Sequence, residues 1–386
     1  MRYGSIHLLL ATSLVYLALA TGTLLPKVLG DIVIVHHTVI AGIAILVLMA
    51  KSNLATFGAA AIIVISPIIA VLIFRGMVAH DIPFLIEKVD GAVLSTIFVS
   101  SISAHLITKF GEERFFQAFV FVAMFVLAAT LAYKAVFGFS VRSVRYLING
   151  PIVFGWLMAL SSLTSVYLML QGRFLANGTR AALFLAATFW AMSKGPIVAF
   201  ALAAPLLVFR LFSFKRAVLV SLCMVSLGYV VIWSLPSEFL VRYEAIFRVL
   251  ADDAGTQDFG SIGARQHMMA DALELYRENP LLGVGVTNFQ VATSGGFAYP
   301  HNLTLEIMSE MGVIGLVAFG LVFAFVLWKN TPFGRAVFLF IFICTSFSGD
   351  MSYLRILLFI PLTYTLLLVS PTSVRNPAEE PGRDLA

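Results

Sequence analysis

The sequence predicts an all-α polytopic membrane protein with about twelve transmembrane helices. Three observations predict it. The 386-residue chain is 60% hydrophobic and only 12% charged. A soluble domain carries roughly 25% charged residues, so this surface cannot all face water. The apolar residues come in continuous runs instead of alternating, which excludes an outer-membrane β-barrel. Twelve spans of about twenty residues would use roughly 240 positions, close to the apolar total. A soluble enzyme, a disulfide-stapled secreted domain and a disordered chain are excluded on the same grounds.

The spans are read at about 6–25, 31–50, 54–74, 91–108, 115–133, 150–170, 179–193, 195–212, 217–235, 303–328, 336–349 and 353–370. Arg2, an apolar stretch and Ala18-Leu19-Ala20 imitate a cleavable signal peptide, but the segment is kept as the first span. With the N-terminus inside, thirteen Lys and Arg residues fall on inner segments and eight on the short outer loops. That asymmetry has the sign of the positive-inside rule. The outer eight include Arg75, Lys88, Arg142, Arg145, Lys194 and Arg355. Basic side chains at an outer face are either snorkelling anchors or a site for an anionic group. Trp156, Trp190, Trp233 and Trp328 are read as interface anchors.

Four regions follow. Residues 1–235 form a membrane bundle, 236–302 a large outer loop, 303–370 a second part of the bundle, and 371–386 a disordered tail. The net charge of +5 includes no Lys/Arg cluster, so no nucleic-acid partner is expected. Cys223 and Cys344 lie in apolar runs, and no metal-ligand motif is present, so neither metal nor cofactor is expected.

The outer loop is the informative part. Ser237 caps an amphipathic helix carrying Phe239, Leu240, Tyr243 and Ile246, which suits the membrane surface. The polar linker 252–258 follows. A second helix runs from Ser261 to Glu278 and is stopped by Asn279-Pro280. On it Arg265, Met268, Met269, Ala272 and Tyr276 share one stripe, while His267, Asp271, Glu274 and Glu278 share the opposite one. His267 is therefore solvated. Arg265, a guanidinium on an apolar stripe, needs an anionic partner or a route to water. Leu282-Gly283-Val284-Gly285 is a turn that permits close backbone approach. Tyr299-Pro300-His301-Asn302 then leads into the tenth span, whose start Asn302 can cap. Glu306 and Glu310, one and two turns in, could orient a histidine or satisfy helix polarity. Asp350 and Arg355 could pair across the last outer turn.

Three stretches carry a family resemblance: Gly263-Ala264-Arg265-Gln266 through Glu278-Asn279-Pro280-Leu281-Leu282-Gly283-Val284-Gly285, then His301-Asn302-Leu303, then Glu310-Met311-Gly312-Val313-Ile314-Gly315-Leu316. Together they resemble the O-antigen ligase/polymerase family. The resemblance implies a GT-C-like glycosyltransferase of the bacterial inner membrane. It would move a glycan from undecaprenyl diphosphate to an acceptor hydroxyl on the periplasmic face, without metal. His301 matches the family's base or acceptor-positioning histidine, and Arg265 its diphosphate-holding arginine. Ser193-Lys194-Gly195-Pro196 resembles the family's Ser-Arg-Gly turn, with lysine in place of arginine. Lysine keeps the charge but loses the bidentate fork.

The expected catalytic residues are thus His301 and Arg265. Lys194, Arg75, Arg142, Arg145, Asn302 and Glu306 are the expected substrate-binding residues. The partners are a lipid-linked glycan donor, a lipid or glycan acceptor and the bilayer. Lipid A core as acceptor makes a ligase, and a second lipid-linked repeat makes a polymerase. A transporter or lipid flippase would instead need ionisable residues near span centres and paired broken helices. Of the first kind only His36, His37 and His105 are found. A non-catalytic assembly subunit is the third alternative.

Overall fold

The computed structural model describes residues 3–21, 53–139, 149–172, 174–211, 261–293, 296–328 and 330–369. The expected spans 31–50 and 217–235, the surface helix after Ser237, the linker 252–258, Arg142, Arg145 and the tail lie outside the described residues. The other ten of the twelve expected spans fall on helices. In chain order these helices are α1 (Tyr3–Thr21), α2 (Asn53–Gly76), α3 (Ile82–Val89), α4 (Ser95–Phe110), α5 (Glu112–Phe137), α6 (Pro151–Gln171), α7 (Phe174–Trp190), α8 (Lys194–Leu211), α9 (Ser261–Glu278), α10 (Phe289–Ala292), α11 (Leu303–Trp328), α12 (Pro332–Ser348), α13 (Leu354–Leu357) and α14 (Phe359–Val369).

Among the described residues, five helical segments are long and apolar enough to cross a membrane. They are Leu54–Gly76, Ile82–Phe110, Glu112–Phe137, Pro151–Gln171 and Leu303–Trp328. The pair Met351–Leu357 and Phe359–Val369, bent by 59°, makes a sixth if counted as one. Large apolar side chains point outward along these helices, including Ile63, Phe125 and Leu321. That is the surface a hydrocarbon solvent requires and water would penalise. The chain is accordingly a multi-pass membrane protein whose described residues form helices.

Inside the bundle, a set of hydroxyl groups is satisfied locally. Thr130, Ser161, Thr164 and Ser165 each donate to the carbonyl one turn back, so no polar atom of theirs is stranded away from water. Ser162 Oγ donates across to the Ala181 carbonyl at 2.8 Å, tying α6 to α7. The Tyr167 and Tyr364 hydroxyls both donate to Glu112 Oε1, joining α5, α6 and α14.

Three expectations are corrected. The fourth span starts earlier than expected: Asp81 caps α3 by accepting the Phe84 N–H at 2.9 Å, and a π-helical stretch, Asp90–Leu94, carries α3 into α4. Lys88 is consequently buried helix and not outer loop. Trp156 is fully buried against Tyr353, with ring centroids 4.9 Å apart, and anchors no interface. Asp350 and Arg355 form no ion pair: Asp350 accepts from the Ser352 N–H and Oγ, while Arg355 donates to the Ser352 and Leu19 carbonyls.

The feature that shapes the outer region is a break in α11. Gly312 has φ +61, outside helical geometry, so the helix divides there. A break strands carbonyls and N–H groups that a continuous helix would pair. The turn after α9 takes them up. Val284 and Gly285 donate to the Ser309 and Glu310 carbonyls at 2.8 and 2.9 Å. In return Val313 and Ile314 donate to the Pro280 and Leu281 carbonyls at 2.8 and 3.3 Å.

Candidate functional site

The site is built around that clasp. α9 lies on the first half of α11, with Met268, Ala272 and Leu275 packed against Phe289, Val284 and Leu305. The expected faces of α9 hold: His267, Glu274 and Glu278 are exposed, and Met268 and Ala272 are buried. This docking brings Arg265, half-buried at the head of α9, next to the segment that precedes α11.

Tyr299 and His301 lie there, their ring centroids 4.5 Å apart and tilted by 59°. Burial holds the His301 imidazole below its ordinary pKa, and the Arg265 charge lowers it further, against the Ser348 backbone and Asp350. Both effects favour the unprotonated ring. Burial also lowers Arg265, opposed by the negative end of Tyr299, and raises the Tyr299 hydroxyl, with Asp350 adding to the rise. The four groups occupy one electrostatic neighbourhood. His301 Nδ1 is buried and accepts or donates no hydrogen bond to any described residue.

Asn302 caps α11 as expected, accepting the Leu305 N–H at 3.1 Å. Its amide donates to the Ser346 carbonyl at 2.9 Å, pinning the start of α11 to the end of α12. The Lys194 turn reaches the same place. α8 packs along α12, and Gly195 lies so close to Phe347 that a β-carbon there would be 3.4 Å from it. Gly195 of this turn, His301 and Asn302 thus all border residues 346–350. Arg265 joins them from α9.

Arg75 and Glu306 are engaged otherwise. The Arg75 guanidinium donates to the Gly283 carbonyl at 3.0 Å, and the Arg75 carbonyl accepts from Val286 at 3.3 Å. It fastens the clasp to α2. Glu306 is fully buried, 2.6 Å from Lys88 Nζ, and its other oxygen accepts the Met351 N–H at 2.8 Å. Lys88 also donates to both Glu310 oxygens, at 3.0 and 2.9 Å. Lys88, Tyr299 and Asp350 were not among the expected site residues. Asp81-Ile82-Pro83, a capped helix start, was the signal that would have placed Lys88 inside a span.

The three non-glycine residues with positive φ among the described residues are Met192 (50°), Thr287 (67°) and His301 (55°). Met192 is in the Lys194 turn, Thr287 in the clasp and His301 at the site. Such backbone strain concentrates where geometry is over-determined by its surroundings.

Residues 179–320 match the family described as O-Antigen ligase. The match spans Lys194, Arg265, the clasp, His301, Asn302, Glu306, the break in α11 and the start of its second half. No curated protein matches the chain. This part of the chain is therefore similar to the O-antigen ligase family. In the matched region, the resemblance has a physical content. Its Asn-Pro-Leu-Leu-Gly-Val-Gly half and its Glu-Met-Gly-Val-Ile-Gly half are the two sides of the clasp, hydrogen-bonded to each other.

Proposed function

We propose that the protein transfers a glycan from undecaprenyl diphosphate to an acceptor hydroxyl at the periplasmic face of the bacterial inner membrane. On this reading it spans the membrane about twelve times in a GT-C-like arrangement, and it acts as an O-antigen ligase with lipid A core as acceptor. The observation that carries the reading is His301, half-buried against Tyr299 at the Asn302-capped start of a membrane helix and within the electrostatic reach of Arg265.

The chemistry needs little else. The sugar C1–O bond breaks and its electron pair leaves on the diphosphate. Arg265 and Lys194 stabilise that growing charge, as preorganised cations do best in a site shielded from water. The acceptor oxygen attacks C1 from the opposite side, inverting it. Its proton passes to neutral His301 or, with the histidine only orienting the hydroxyl, to solvent. Arg265 has a second effect: its charge adds to burial in disfavouring the imidazolium form of His301.

The test uses the full chain in proteoliposomes with an undecaprenyl-diphosphate-linked glycan. Lipid A core or a second lipid-linked repeat is offered as acceptor, and product is read as a gel ladder. Product on lipid A core supports the ligase assignment, and product on the repeat makes it a polymerase. His301→Ala and Arg265→Ala should each lower turnover by about a hundredfold or more. Wild-type ladders in both, at equal expression, would remove these residues from the mechanism.

A further inference from the structure

Lys88 plays no part in the chemistry above, yet it is wholly buried with two carboxylates one helical turn apart, Glu306 and Glu310. A buried charge cluster of this kind is a poor way to hold helices together, because desolvation offsets most of the attraction and an apolar trio of similar volume would serve as well. Its value lies in fixing one arrangement. Glu306 is the link. One of its oxygens meets Lys88 at 2.6 Å, and the other accepts the Met351 N–H at 2.8 Å. One turn earlier, Asn302 donates to Ser346. The first turn of α11 is thus stitched to residues 346–351 at two points. His301 is the residue that enters that turn, and it does so through a left-handed backbone conformation.

We propose that Lys88 is a positioning residue for His301: by fixing Glu306 it holds the start of α11 against residues 346–351 and so sets where the imidazole lies. Lys88 touches neither donor nor acceptor. Its catalytic meaning rests on the transferase reading, but its effect on the ring does not.

The full-length purified chain tests this in two ways. Diethylpyrocarbonate labelling of His301, followed by mass spectrometry, needs no substrate. Turnover with the undecaprenyl-diphosphate-linked glycan gives kcat and donor KM separately. Lys88→Met should change the His301 labelling rate and lower kcat by about tenfold or more, with donor KM within about twofold, because small displacements of a reacting group act on kcat. Lys88→Arg should restore both. An unchanged His301 labelling rate in folded Lys88→Met overturns the inference. Where Lys88→Met does not fold, Glu306→Gln replaces it: it retains an acceptor for Met351 and drops the charge that Lys88 holds. A smaller change in the same direction is expected, and no change overturns the inference. A wild-type chain that labels as expected but gives no turnover overturns the transferase reading alone.

Discussion

Gly283 and Gly312 stand in a reciprocal relationship across the break in α11. A β-carbon on Gly283 would lie 2.4 Å from the backbone of Glu310, two residues before Gly312. One on Gly312 would lie 2.5 Å from the backbone of Leu281, two residues before Gly283. Each glycine makes room for the strand that carries the other, and both have positive φ.

Gly283→Ala or Gly312→Ala should therefore each destabilise the fold. The left-handed conformation alone costs about 1–2 kcal/mol, and the clash falls on backbone that cannot rotate away. Thermal unfolding in detergent should show a clear drop in midpoint for both. Gly58→Ala is the control: nothing lies within 4 Å of its β-carbon position in α2, so its midpoint should stay or rise.

Arg75 should behave as a fastener. Arg75→Ala removes the guanidinium from the Gly283 carbonyl, leaving a buried acceptor unpaired at a cost of about 1–3 kcal/mol. The expected result is lower thermal stability and faster limited proteolysis between residues 279 and 293. A weaker donor KM at unchanged stability would show that Arg75 binds the diphosphate after all.

Arg265 should set the titration of His301. Its positive charge disfavours imidazolium, so Arg265→Ala should raise the His301 pKa. Histidine NMR of the free protein should show that imidazole titrating at higher pH than in wild type. In the variant the acid limb of kcat/KM, which reports the free protein, should move up in pH with it.

Asn302 offers a graded test. Asn302→Asp keeps the oxygen that caps α11 but loses the donor to Ser346. Asn302→Ala loses both, with about 1 kcal/mol for the cap alone. Thermal midpoints should fall in the order wild type, Asp, Ala.

Much of this was legible from one dimension. The α9 boundaries, its two faces and the Asn302 cap follow from periodicity, a proline stop and cap chemistry, all of them local. Lys88 was missed because its partners lie more than two hundred residues away, and a lysine near a span end reads as a snorkelling anchor. Trp156 was misplaced because interface tryptophans and core tryptophans look alike until the neighbour, here Tyr353, is known. Arg75 was expected to bind an anionic substrate group. The acceptor turned out to be a carbonyl of the same chain.

The break at Gly312 also bears on the lipid around the protein. Only Val313–Trp328 continues as uninterrupted apolar helix. At 1.5 Å per residue that stretch reaches about 24 Å, short of a hydrocarbon slab about 30 Å thick. The rest of the thickness falls to the bent first half of α11 or to a locally thinner leaflet. On the proposed transferase reading, a thinned leaflet would present a polyprenyl carrier with a dimple where its head is engaged without being lifted clear of the membrane.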